Sequence, residues 1–132
     1  MEPFPPTSAA LEDPNGLLAV GGDLSAARLL EAYQRGIFPW YEPGEPILWW
    51  TPHPRAVLRP AEFHESKSLR KFLKTTDWYV EYDLRFEQVV DACAAPSPGR
   101  EETWISDDMK AAYLELHRLG YAHSVEVMDS GR

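Results

Sequence analysis

Apolar positions come in short runs along this chain, and punctuation by glycine, proline and small polar residues divides them. Leu17-Leu18-Ala19-Val20 is a four-residue apolar run closed by Gly21-Gly22, which predicts a buried strand or an extended packing segment. Ser25 predicts a helix N-cap, since its hydroxyl can accept from an unpaired first-turn amide. Leu29, Leu30 and Tyr33 follow as an apolar stripe, and Gly36 sits where a left-handed residue ends a helix. From Ile37 to Pro54 five prolines break any long element, leaving Ile47 to Trp50 as a short strand; Ala56 to Arg59 is a second strand candidate. Ser66 predicts a cap for a helix running to about Lys74, with Leu69, Phe72 and Leu73 as its stripe. Trp78 to Tyr82 alternates as a strand does. Asp83 is expected to cap a third helix that buries Phe86, Val89, Val90 and Cys93. After an Ala95–Gly99 loop, Ser106 caps a last helix with Met109, Tyr113 and Leu116 inward and Gly120 as its stop. His123 to Val127 reads as a strand, paired with an earlier one or opening a further sheet. The pattern predicts a small α+β domain of about four short helices and short strands.

Residues 1–16, rich in proline and small side chains, are expected to form an extended arm with no core of their own. The main domain is expected over residues 17–121, with 122–132 as the start of a second unit. The N-terminus has neither a basic start nor an apolar run, so a signal peptide or membrane anchor is not expected there. No stretch reaches the ~18 apolar residues that span a bilayer. The single cysteine, Cys93, allows no intramolecular disulfide and fits a reducing compartment. The four histidines are scattered, so no metal site is expected. These features together predict a soluble, cytoplasmic protein.

Two features carry candidate chemistry. Phe38, Trp40, Tyr41, Trp49 and Trp50 crowd a proline-stiffened segment, where rings either fill a core or stand ready to stack on a nucleobase. Lys67, Arg70, Lys71 and Lys74 recur at i, i+3, i+4 and i+7, which puts four positive charges on one helical face. The formal net charge is -8, so this face is a local reversal of sign. It is either a phosphate-binding surface or a solvated face. The acidic pairs Glu101-Glu102 and Asp107-Asp108 suit a helix start better than acid–base chemistry. No glycine-rich phosphate loop or nucleophile elbow is present.

Five stretches together resemble one family. They are Pro14-Asn15-Gly16-Leu17-Leu18-Ala19-Val20-Gly21-Gly22-Asp23-Leu24, Tyr33-Gln34-Arg35-Gly36-Ile37-Phe38-Pro39-Trp40, Ile47-Leu48-Trp49-Trp50-Thr51-Pro52-His53-Pro54-Arg55, Thr103-Trp104-Ile105 with Tyr113, and Leu119-Gly120-Tyr121-Ala122-His123-Ser124-Val125-Glu126-Val127. The chain looks like the leucyl/phenylalanyl-tRNA–protein transferases from Asp13 onward. The resemblance implies transfer of leucine, phenylalanine or, less readily, methionine from aminoacyl-tRNA to a protein beginning with arginine or lysine. That product carries a degradation signal of the N-end rule. It implies Trp40 and Trp104 against the terminal adenosine, with Tyr113 close by. Lys67, Arg70, Lys71 and Lys74 would meet the acceptor arm, while Tyr33 and Trp49 are either further site residues or core. No cofactor is implied. Members of the family are longer, with a C-terminal domain of the acetyltransferase (GNAT) type whose first strand His123–Val127 resembles. The side-chain pocket and the catalytic residues are therefore expected beyond Arg132, and the resemblance carries none of them onto this chain. A tRNA-binding module without chemistry, and a purely structural domain, are the other two readings.

Overall fold

The computed structural model describes residues 2–131. Its elements are strand β1 (Leu17–Val20), helix α1 (Ala26–Gln34), strands β2 (Phe38–Pro39) and β3 (Leu48–Trp50), helix α2 (Lys67–Thr75), strand β4 (Tyr79–Tyr82), helices α3 (Phe86–Ala94) and α4 (Asp107–Arg118), and strand β5 (Val125–Met128). Short 3-10 turns cover Thr7–Ala9 and Pro60–Glu62. This is the small α+β arrangement that the apolar pattern predicts, with four helices and two small antiparallel sheets among the described residues.

Caps set the helix ends. Ser25, Ser66 and Ser106 each accept from an amide of the first turn, at 3.3, 3.2 and 3.2 Å. Helices α1 and α4 end in the same motif. After α1 the Ile37 amide donates to the Ala32 carbonyl at 2.9 Å and the Gly36 amide to Tyr33 at 3.2 Å. After α4 the Tyr121 amide donates to Leu116 at 2.8 Å and the Gly120 amide to His117 at 2.9 Å. Each motif needs a left-handed residue, and Gly36 and Gly120 supply it with φ of 72° and 87°. The first reversal drops Ile37 into the core and aims the chain along β2.

The first sheet has the order β1-β3-β2, so β3 is central. Trp49, in the middle of β3, is fully buried. It packs with Phe4, Leu29, Ala32, Ile37 and Leu116. Its indole donates to the Gly21 carbonyl at 2.8 Å, and the Phe4 ring meets it edge-on at 5.0 Å. The N-terminal segment lends Phe4 to this core. Trp49 is a core residue and leaves the set of candidate site residues.

A tight turn holds the arm to the segment after β3. Gly16, at φ 91°, accepts from the Thr51 amide at 2.7 Å, and Asn15 bonds both the amide and the carbonyl of His53. A Cβ at Gly16 would lie 2.5 Å from the Pro52 backbone. Gly16→Ala is therefore expected to cost about 2 kcal/mol or more, combining a left-handed φ with a backbone clash. Urea denaturation would show it as a lower midpoint at unchanged slope.

Several expectations need correction. Ala56 to Arg59 is not a strand: Val57 and Leu58 are exposed, and among the described residues no neighbouring strand offers hydrogen-bond partners. The segment around Pro39 does form a strand, because β2 lies at a sheet edge where a missing amide costs nothing. Asp83 does not cap α3; the N-cap is Arg85, without a side-chain bond. Asp83 instead adopts φ 60° and accepts from the Ser124 amide at 2.9 Å and bonds the His123 ring at 2.8 Å. Those two hydrogen bonds, the Ser124 one first, hold its carboxyl below the usual carboxylate range. Cys93 is exposed rather than inward.

β5 pairs antiparallel with β4, from Tyr79↔Met128 to Tyr82↔Val125. Glu126 is buried there, its Oε1 accepting from Ser124 Oγ at 2.5 Å and from the Arg85 amide at 3.0 Å. Outside that anchor the ribbon is open: Tyr79, Val80, Tyr82, Val125 and Val127 are all exposed. Helix α2 buries no residue, and its Phe72 meets the Trp78 ring edge-on at 5.2 Å. Among the described residues, no helix is long and apolar enough to cross a membrane.

Candidate nucleotide-binding site

Four aromatic side chains from distant parts of the chain form one continuous run. Trp40 and Trp104 are stacked, with ring centroids 5.3 Å apart and planes 19° from parallel. Tyr113 meets Trp104 edge-on at 6.3 Å and 87°. Beyond it, the Tyr113 and Tyr33 hydroxyls share a hydrogen bond, with their rings at 6.5 Å.

Each member is held from its own element. Trp40 leaves the end of β2 with its amide bonded to Leu48 at 3.0 Å, while its carbonyl accepts the Trp50 indole at 2.8 Å. Trp104 precedes α4, in a turn closed by Ser106 N–H to Trp104 O at 3.1 Å and Ile105 N–H to Thr103 Oγ1 at 3.1 Å. Tyr113 stands on α4 and Tyr33 on α1, and those helices pack together. Trp40 is half exposed and so presents a ring face to solvent, although it belongs to a fixed backbone.

The tryptophan pair already fills the space between its rings, because a 5.3 Å centroid separation is ordinary ring–ring contact. A flat ligand either caps the pair or parts it. A cleft of about 370 Å³ opens beside the pair, lined by Trp40, Glu42, Arg100, Glu102, Thr103 and Trp104. Sequence reasoning gives Arg100, Glu42 and Glu102 no part in a site. Arg100 is masked there by the two glutamates near it, and its place depends on a fold that joins β2 to the loop before α4. A larger hollow of about 690 Å³ lies against Thr7, Leu11, Asn15 and His53 and shares no residue with the aromatic run.

Burial raises the Tyr113 phenol far above its usual range, and the bond from Tyr33 adds to this. Burial also raises Tyr33, partly offset by the bond from Tyr113. Both stay protonated at neutral pH, one hydroxyl donating to the other, and neither acts as a base.

Lys67, Arg70, Lys71 and Lys74 all lie on α2 and are exposed. Arg70 pairs with Glu65 at 3.3 Å. For Lys67, Lys71 and Lys74 no carboxylate lies within ion-pair distance among the described residues. Among the described residues, α2 makes no substantial packing contact with α1 or α4.

Comparison with known proteins gives consistent results. A family model described as leucyl/phenylalanyl-tRNA protein transferase matches residues 57–132, and the model of that family's N-terminal domain matches residues 22–53. A leucyl/phenylalanyl-tRNA–protein transferase of Xanthomonas euvesicatoria pv. vesicatoria is 58% identical over 131 residues, covering 98% of this chain and 52% of the relative. The protein of that name from Pseudomonas entomophila is 57% identical over 128 residues, with 97% and 57% covered. One from Saccharophagus degradans is 56% identical over 128 residues, with 97% and 53% covered. The chain spans about half the length of the curated relatives it matches. The two matched segments meet in the aromatic run: Tyr33 and Trp40 come from the first, Trp104 and Tyr113 from the second.

Proposed function

The chain belongs to the leucyl/phenylalanyl-tRNA–protein transferase family, and from that membership we propose that it holds the 3′ end of an aminoacyl-tRNA for aminoacyl transfer to a protein N-terminus. The observation that carries the proposal is the stack of Trp40 on Trp104, two residues far apart in sequence that meet at a solvent-facing cleft. The terminal adenosine stacks on this pair, with Tyr113 edge-on behind it. The aminoacyl group is leucine, phenylalanine or methionine. The acceptor is a protein beginning with arginine or lysine, which the transfer marks for N-end-rule degradation in the cytoplasm.

The reaction is aminolysis of an ester. The acceptor's α-amine nitrogen attacks the ester carbonyl carbon, the bond to the ribose oxygen breaks, and a proton passes from the amine to that leaving oxygen. No covalent enzyme intermediate is required. The part this chain takes is to fix the adenosine, which converts a bimolecular encounter into a reaction of held partners. The Tyr33–Tyr113 pair, kept neutral, stiffens the wall behind Trp104.

Lys67, Arg70, Lys71 and Lys74 engage the acceptor-arm phosphates. Reversing Lys71 and Lys74 to glutamate is expected to weaken binding of whole tRNA and to lower its salt slope by about 1 for each phosphate no longer engaged. A 3′-aminoacyl-adenosine analogue should bind the double variant as before. Equal weakening of both ligands would remove the acceptor-arm role.

A second reading, a tRNA-binding module without chemistry, is favoured by the two phenols of the run, both raised above their usual range. A transfer assay with phenylalanyl-tRNA labelled in the amino acid and a peptide beginning with arginine separates the two. Label on the peptide supports the transferase. Salt-dependent tRNA binding without label supports the module, and no binding at low salt removes both.

A further inference from the structure

The cleft beside the tryptophan pair holds an arginine that takes no part in the packing of the core. The loop after α3 turns tightly at Pro98-Gly99, where Ser97 and Arg100 exchange backbone hydrogen bonds of 2.9 and 2.8 Å. The Arg100 guanidinium reaches back and donates to the Cys93 carbonyl at 2.9 Å and the Ala95 carbonyl at 2.7 Å. These carbonyls close the C-terminal end of α3, where the helix dipole favours a cation. A guanidinium has five N–H donors, so three remain after these two bonds. Among the described residues no carboxylate lies within ion-pair distance of Arg100, although Glu101 and Glu102 adjoin it in sequence. The side chain is therefore anchored on one side and has free donors, in a cleft it shares with two stacked rings.

We infer that Arg100 binds the phosphodiester that links the terminal adenosine to the nucleotide before it. The inference rests on the reading of this cleft as the adenosine site. A nucleotide offers a flat base and a tetrahedral anion one ribose apart, and the cleft offers a stacking face and a fork of N–H donors. Arginine matches phosphate oxygens in bidentate fashion, and its anchoring means that little side-chain freedom is given up on binding. Thr103 adds a second donor: its Oγ1 accepts from the Ile105 amide, so its hydroxyl hydrogen stays free for the ribose or the phosphate. Glu42 and Glu102 line the same cleft and outnumber the arginine. Long-range attraction thus does not draw anions here, and free phosphate should bind poorly. Selection comes from direct hydrogen bonds once the base has stacked.

The test compares two ligands on the full chain: a 3′-aminoacyl-adenosine analogue, and the same analogue carrying cytidine through a 5′-phosphodiester. Arg100→Gln is expected to lower affinity for the dinucleotide about tenfold or more and to leave the nucleoside unchanged. The wild-type salt slope for the dinucleotide, about 0.7 for one single-stranded phosphate contact, should vanish in the variant. Circular dichroism of the coupled Trp40–Trp104 indoles reports whether the loop has kept its place. Should Arg100→Gln abolish that signal, Arg100→Lys, which can keep a carbonyl bond and its charge but not the fork, carries the test through selective weakening of the dinucleotide. Equal weakening of both ligands with the indole signal intact would reduce Arg100 to a loop support and overturn the inference. Equal affinity of the wild type for both ligands would overturn it as well. Failure of the wild type to bind either ligand would sink the adenosine reading itself, and the phosphate contact with it.

Discussion

Trp104→Ala should lower affinity for a 3′-aminoacyl-adenosine analogue by about 1–3 kcal/mol, the range found when one aromatic partner of a stacked base is removed. Trp104 touches both neighbours in the run, Trp40 face to face and Tyr113 edge-on, so its loss removes a stacking surface and loosens the wall behind it. A purely structural effect would look different. The residue is only partly buried, and its removal should shift stability less than loss of a core ring. Trp104→Phe keeps a flat ring and should retain most of the affinity. Titration calorimetry with the small analogue, not whole tRNA, isolates the proposed base contact from the proposed contribution of α2. Unchanged affinity would take Trp104 out of the site.

The opposite result is expected nine residues beyond Trp40 in the chain. Trp49→Ala should destabilise the fold by about 3–5 kcal/mol, the usual cost of emptying a buried large ring. Trp49 has no exposed surface, the Phe4 ring leans on it, and its indole satisfies the Gly21 carbonyl next to β1. The substitution would leave both a cavity and a carbonyl without its donor. Domains have only ~5–15 kcal/mol of stability in all, so this variant should be partly unfolded at modest denaturant concentrations. A loss below about 1 kcal/mol would mean that the core is not organised around β3. Together the two variants test whether tryptophans that look alike in sequence divide as expected, one for binding and one for packing.

That distinction marks the limit of what the sequence makes legible. Caps and stops are readable because they are local: Ser25, Ser66 and Ser106 each bond an amide three residues on, and Gly36 and Gly120 each relieve one strained position. Asp83 misleads for the same reason. Its position suits a cap, but a left-handed turn hands its carboxylate to Ser124 and His123, about forty residues away. Ala56 to Arg59 has the composition of a strand and lacks a partner, and composition cannot supply one. Resemblance pairs Trp40 with Trp104; their spacing does not. Arg100 is silent in the sequence because an arginine followed by two glutamates looks neutralised until its carbonyl anchors are seen.

The core has a consequence for how the chain is made. Phe4, Leu29, Ala32, Ile37 and Trp49 come early, but Leu116 of α4 completes their packing. During synthesis the first sheet and α1 must wait, with apolar surface uncovered, until α4 has left the ribosome. At roughly 5–20 residues per second that delay lasts on the order of several seconds. A stalled complex halted before α4 should be protease-sensitive throughout, and one halted well beyond it should have gained protection of β1, α1 and β3 in a single step.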